Sequence, residues 1–308
     1  MMRTLGKTVL LTSLFAFSAT ACVEEDNGPE GLNAALPTAE QLSIKLPESN
    51  VRAVGQMAEF YGWTRGITRT LNGGSAWVLI LLHSIVEYPV TSVEGNVYTW
   101  GPWGQGLDPA EYKLVVTALA NGTFEYQLAG RPRNTTGAFE TVISGTAIPG
   151  ATDAQAKGQV LLDFDAAERV NPVDNNDKGQ LTIKYDLGAR TLELDAATIE
   201  DGRPATAHYA YKDQANGSGD MVFGLRANAN AGAGLESITL RSRWLASGAG
   251  RGDARVTGGE VGAEITASEC WNNTFKRDYF VSESNMLGQS EGNVADCAFA
   301  TADLPPRP

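Results

Sequence analysis

From Val93 to the C-terminus, short segments rich in β-branched and aromatic residues alternate with turns built from Gly, Asn and Asp. Tyr112–Leu119 runs into Asn121-Gly122, a dipeptide that tight hairpin turns favour because both positions tolerate positive φ. Thr123–Leu128 returns from that turn. Further segments follow at 139–148, 158–164, 180–185, 191–195, 205–211, 220–226, 235–245 and 252–265. Gly188, Asn216-Gly217-Ser218-Gly219 and Ser247-Gly248-Ala249-Gly250 separate three of the pairs. One face is apolar throughout: Leu181, Ile183 and Tyr185, then Leu192 and Leu194, then Ile238, Leu240 and Trp244. A period of two on one face marks antiparallel strands with one side buried. The regular succession of short strands and tight turns argues against strand–helix–strand units and a parallel sheet. The pattern predicts a mainly β protein, a large antiparallel meander sheet that is strongly curved or barrel-like.

The chain before Val93 reads differently. Glu40–Pro47 alternates polar and apolar residues and stops at proline, predicting a short edge strand or an ordered lead-in. Val51, Val54, Met57, Ala58 and Tyr61 fall at helical spacing behind Ser49 or Asn50 as a cap. They predict a helix over about 50 to 70, broken at Asn72-Gly73-Gly74. Ala76–Leu82, continued through Ile85 and Val86 to Pro89, is the most apolar stretch beyond the N-terminal segment. It falls short of the roughly 20 residues a membrane span needs, so it predicts a helix buried in the core. A helix lying on a membrane is the sharper reading, but its flanks lack the Lys and Arg that such helices use. The sheet of 91–303 is expected to wrap this 49–90 helical segment, with 304–308 a Pro-rich tail.

Residues 1–21 have the three parts of a secretion signal: Arg3 and Lys7, the apolar Val9–Phe17, then the small residues Ala19-Thr20-Ala21. Cys22 follows directly. A thiol at that place can carry a diacylglycerol through a thioether, and here the chain resembles bacterial lipoproteins of the Gram-negative type. Ala21 and Cys22 match their lipobox, while Ala19 and Thr20 match it more loosely. The resemblance implies cleavage before Cys22, acylation of Cys22 and attachment to a membrane. Val23 is not the Asp that commonly retains such proteins at the inner membrane, so the outer membrane is implied. Val23–Gly31 is acidic, contains Gly and Pro, and lacks an apolar period, as a solvated tether should. The tether and lead-in thus occupy 22–48.

Charge and cysteines narrow the picture further. The full chain carries a formal charge of −12; losing residues 1–21 removes Arg3, Lys7 and no acid, which leaves −14. Such a chain repels polyanions, so nucleic acid is not an expected partner. With Cys22 acylated, Cys270 and Cys297 remain as an even pair, which in an exported protein reads as one disulfide.

Signals of chemistry are sparse. The sequence holds no nucleophile elbow, zinc-binding His-Glu-x-x-His or phosphate-binding Gly-rich loop, and no cofactor or metal site is expected. His83 and His208 read as structural histidines. Val173–Gly179 looks at first like a calcium loop with Asp174 and Asn176 as ligands, but Lys178 takes a ligand position and Tyr185 stands where a bidentate Glu belongs. It therefore reads as a turn between two strands. Arg251-Gly252-Asp253 matches an adhesion tripeptide, although three residues coincide easily by chance. Trp100 and Trp103, in a Gly/Pro-rich loop, are the candidate ligand-binding residues, able to stack on a glycan or an apolar ligand at the sheet mouth. The alternative is that they cap the core. A second aromatic group, Trp271, Phe275, Tyr279 and Phe280, is expected around the disulfide. Together these features suggest a non-catalytic binding or structural lipoprotein, with an unrecognised hydrolase as the alternative.

Overall fold

The computed structural model describes residues 28–47, 57–104, 107–133, 135–200, 202–228, 234–283 and 289–305. The secretion signal and Cys22 lie outside the described residues, as do Ser49, Asn50, Val51 and Val54. Three helices come first: α1 (Leu32–Ala35), α2 (Ala39–Leu42) and α3 (Glu59–Val86). Six strands follow, β1 (Ser92–Glu94), β2 (Val97–Trp103), β3 (Ala110–Ala118), β4 (Phe124–Pro132), β5 (Glu140–Ile148) and β6 (Lys157–Asp163). After α4 (Phe164–Val170) come β7 (Gln180–Asp186), β8 (Thr191–Glu200), β9 (Arg203–Asp213), β10 (Gly219–Ala227) and β11 (Glu236–Trp244). The chain closes with β12 (Gly250–Gly258), β13 (Ile265–Trp271), β14 (Arg277–Glu283) and β15 (Gln289–Gly292).

Among the described residues the fifteen strands form one sheet in which each strand pairs antiparallel with its neighbour in sequence. The expected meander is therefore present. The barrel alternative is not: β1 and β15 do not pair among the described residues, and the sheet is open.

Its helix-bearing face is organised by aromatic rings laid over glycines of the adjacent strand. Tyr112 sits opposite Gly130, Tyr126 opposite Gly145, Tyr185 opposite Gly158, Trp244 opposite Gly219 and Trp271 opposite Gly250. A Cβ at Gly145 would stand 2.2 Å from the Gln159 carbonyl oxygen and 2.3 Å from the Tyr126 hydroxyl. The Tyr126 ring thus crosses β5, and its hydroxyl donates to Gln159 O at 3.0 Å. Such pairs recover the packing that a strand glycine forfeits and let the sheet bend under the helices. Val78, Leu79 and Leu82 of α3, with Ala166 and Val170 of α4, join the sheet's Leu114, Ile183, Tyr209, Met221 and Leu240 in one continuous core.

The helical segment departs from expectation in three respects. Ala39–Leu42 form the short helix α2, started by a capping box between Thr38 and Gln41, so 40–47 is an ordered lead-in and not the edge strand. α3 starts at Glu59 and not near residue 50, because Met57 bridges to Lys276 and Ala58 N donates to Phe275 O at 3.0 Å. The expected break at Asn72-Gly73-Gly74 is absent, and α3 runs through it unbroken. There Asn72 spends its amide on the lead-in, accepting from Ile44 N at 2.9 Å and donating to Ile44 O at 3.0 Å. Tertiary packing outweighs a local propensity cost of about 1 kcal/mol per glycine. Only one face of α3 is buried, since Trp77 and Ile80 are exposed beside buried Val78 and Leu79.

The start of α3 is capped from across the sequence. Its N-cap residue, Ala58, offers no side-chain oxygen. Glu269 of β13, fully buried, accepts instead from Glu59 N at 3.1 Å and from Phe60 N, and Arg277 Nε donates to it at 2.5 Å. A sheet carboxylate at the positive end of the helix satisfies orphan amides and complements the macrodipole.

Other differences are smaller. The expected 252–265 segment divides at Gly258-Gly259, both at positive φ, into β12 and the start of β13. α4 replaces the expected direct passage to a turn, with Asp163 capping Ala166 N at 2.8 Å. The 304–308 tail begins in contact with the body, as Pro305 is buried.

Candidate functional site

Neighbouring residues of a strand point to opposite faces, so the polar partners of the core residues line the face away from the helices. Strand register sets Thr182, Asp195, His208, Gly224 and Thr239 in one row across β7 to β11. Gly224 is the gap in that row. A Cβ there would reach 4.0 Å from His208 Cβ and 3.9 Å from Thr239 Cγ2, so a larger side chain would fill the space between them. The result is an open trough of about 560 Å³, lined also by Gln180, Thr206 and Ser237. A second trough of about 400 Å³ lies along the same strands near Lys184, Glu193 and Asp220.

Charge is concentrated at the join of the two troughs. His208 Nδ1 lies 2.7 Å from Asp195 Oδ1, and Lys184 Nζ lies 3.3 Å from Glu193 Oε1 and 3.7 Å from Asp195 Oδ2. Glu193, Asp195 and His208 offer ligand atoms within 4.8 Å of one another. The Lys184 ammonium already serves both carboxylates, so a divalent ion would have to displace it. Asp195 and His208 have the relation of an orienting carboxylate and a base. Among the described residues the ring of His208 is bonded to Asp195 and to no hydroxyl, and Thr182, Thr206 and Thr239 only line the same trough. The set can hold a polar ligand by hydrogen bonds more readily than it can activate a nucleophile.

The sequence-derived candidates fall elsewhere. Trp100 is 2% exposed, its ring packed under Gly28 and its indole N–H donating to Tyr88 O at 2.8 Å. Trp103 lies past the cis Gly101-Pro102 bond and is partly exposed. With Trp100 enclosed, the two indoles form no common stacking surface, and Trp100 takes the core-capping role. His83 is structural, its Nε2 lying 3.1 Å from Leu36 O and 3.2 Å from Pro37 O. The 174–179 segment connects α4 to β7, not two strands, and closes on itself: Asn171 Nδ2 donates to Asp174 Oδ2 at 2.9 Å, and Lys178 pairs with Glu168.

Cys270 and Cys297 form a disulfide, with Cα atoms 5.5 Å apart. It fastens a C-terminal strap, residues 293–305, over the open face of β11–β13. Arg251 and Asp253 are buried beneath it, joined to each other at 2.8 Å. Arg251 Nη1 donates to Phe299 O and Ala300 O at 3.2 Å, and Asp303 N donates to Asp253 Oδ2 at 3.0 Å. The Arg-Gly-Asp tripeptide is therefore a strap anchor and presents nothing to a receptor. The expected aromatic group around the disulfide divides between faces: Trp271 and Phe275 pack with Tyr61 on the helix side, away from Cys270.

Asp201-Gly202 is the sequence signal that would have found the Asp195–His208 pair. Pivoting a two-residue hairpin there places Asp195 opposite His208. No family model, curated protein or solved structure matches this chain.

Proposed function

We propose that this is a lipid-anchored protein of the cell envelope, held by Cys22 with the outer membrane favoured, whose β domain binds a hydrophilic, glycan-class ligand along the trough. The N-terminal residues support the anchor. The observation that carries the binding reading is the gap at Gly224 between His208 and Thr239, flanked by hydroxyls, an amide and charges. An apolar ligand in the sheet mouth is not supported, because α3 and α4 fill the helix-bearing face with their own side chains.

Calorimetric titration with a panel of neutral and amino-sugar oligosaccharides tests this. Binding should be lost in Gly224→Val, which fills the trough from the solvent side, while the melting temperature holds. A wild-type protein inert to every saccharide, or a Gly224→Val protein that binds normally, would overturn it. Failure of radioactive palmitate to label the protein, or labelling that survives Cys22→Ala, would remove the anchor separately. The Asp195–His208 contact at 2.7 Å favours one second reading, a hydrolase. Turnover of ester or glycoside substrates that vanishes in His208→Ala would establish it.

A further inference from the structure

The exposed face of α3 carries Trp63, Trp77 and Ile80 at helical spacing, and Tyr88 follows in line just past its end. These are the large apolar groups that a water-facing helix surface ordinarily lacks. Arg65 and Arg69, one turn apart and exposed, lie to one side of the stripe, on the side of Ile80. The objection raised by the sequence, that Ala76–Pro89 has no basic flank, does not survive a continuous α3 that sets both arginines on the same helix as Trp77.

The start of the described chain supplies the second observation. Gly28 packs on the Trp100 ring beside Val90, and the indole N–H of Trp100 binds Tyr88 O. The chain therefore reaches the body at the C-terminal end of α3. Cys22 lies six residues earlier, a reach of at most about 20 Å when extended. A lipid on Cys22 thus cannot hold the bilayer far from Tyr88, Ile80 and Trp77. Tryptophan and tyrosine favour the headgroup level, and arginine stems run along apolar surface to meet phosphates. No helix of the described residues is long and apolar enough to cross a membrane.

We infer that the exposed stripe of α3 rests on the phospholipid surface into which the protein's own anchor is inserted, as an interfacial helix clamped by the tether. This rests on the anchor reading. The acyl chains hold the protein at the membrane, and the stripe fixes its orientation.

The test uses the full mature lipoprotein on phosphatidylethanolamine–phosphatidylglycerol vesicles with brominated acyl chains. Flotation reads the anchor, and bromine quenching of tryptophan fluorescence reads the face. The wild-type protein should float and be quenched. The double variant Trp63→Phe, Trp77→Phe should float yet lose most of the quenching, and Ile80→Glu should float with weakened quenching. A wild type that floats without quenching overturns the face and leaves the anchor standing. Quenching undiminished in the double variant Trp63→Phe, Trp77→Phe also overturns it, since an indole off the stripe would be responsible. Trp77 shielded from aqueous acrylamide in proportion to protein density, without bromine quenching, would assign the stripe to a second copy and overturn it. A protein that does not float removes the anchor and this inference together.

Discussion

Glu269→Ala should weaken the fold by about 3–4 kcal/mol, and the structure shows where that comes from. Two amides at the start of α3 lose their acceptor, and the Ala58 N-cap cannot replace it. A buried donor left unsatisfied costs about 1–3 kcal/mol, toward the lower end where water can enter. Loss of the negative charge at the helix N-terminus adds about 0.5–1 kcal/mol. Breaking a buried ion pair outright costs about 3–5 kcal/mol, but Arg277 keeps Glu59 and Glu291, each at 3.4 Å, so that penalty is only partly incurred. Glu269→Gln retains one acceptor oxygen and should cost about half as much. Urea unfolding followed by both circular dichroism and tryptophan fluorescence measures the loss, with coincident transitions required before a free energy is extracted. Hydrogen exchange should accelerate at the first turn of α3 and not at β4–β6. A Glu269→Ala protein within about 1 kcal/mol of wild type, with unchanged exchange at residues 59–64, would refute the capping argument.

Three further outcomes follow from the same geometry. Reducing the Cys270–Cys297 bond removes a cross-link over 27 positions, worth about 3.5 kcal/mol on the chain-entropy model, and should open the strap to limited proteolysis after residue 293; a reduced protein as resistant as the oxidised one would contradict this. Gly145→Ala should destabilise by about 2–3 kcal/mol or more through overpacking against Tyr126, whereas Gly137→Ala, with nothing nearer than 4.0 Å, should be neutral; equal melting temperatures would count against the ring-over-glycine account. Burial raises the phenols of Tyr126, Tyr185 and Tyr209 well above their ordinary 10.0 and pushes Tyr211 up to about 12. The native state favours the protonated phenol, so this stability is intact below pH 10 and is lost as pH rises toward 12 and beyond. Tyrosinate absorbance should therefore rise in two stages, the later one together with unfolding; full ionisation with native circular dichroism retained would contradict the burial argument.

Strand identity was largely legible because turns and period-two patterning are local. Asn121-Gly122 and the Leu181, Ile183, Tyr185 set announce β3–β4 and β7 without reference to the rest of the chain. The errors lie where distant residues decide. Asn72-Gly73-Gly74 looks like a break until Ile44 occupies the Asn72 amide, and the start of α3 depends on Glu269, far along the chain. The trough was hidden for a related reason. His208 reads as structural in isolation, and its carboxylate partner appears only when the β8–β9 register is worked out through Asp201-Gly202. Trp100 settles on the core-capping alternative: its Gly/Pro neighbours suggest an exposed loop, but the indole is buried.

The two proposed contacts constrain each other. α3 packs on the helix-bearing face, against β11–β13, while the trough opens on the opposite face over β7–β11. A helix lying on a sheet keeps its axis roughly 10 Å from the strands, and its own radius adds about 5 Å on the far side. If the α3 stripe touches the phospholipid surface, the sheet stands about 15 Å above it with the trough directed to the aqueous side. The helices would then fill the space between membrane and sheet, and the ligand would approach from solution without competing with lipid. The two faces differ in composition because one is packed under the helices. Aromatic-over-glycine pairs and α3 make the helix-side layer dense and apolar, and the polar rows through Asp195 and His208 lie on the opposite face. Saccharide binding in the presence of vesicles separates the possibilities: affinity equal to that in detergent fits this orientation, whereas vesicles that abolish binding would mean that the trough, and not α3, faces the membrane.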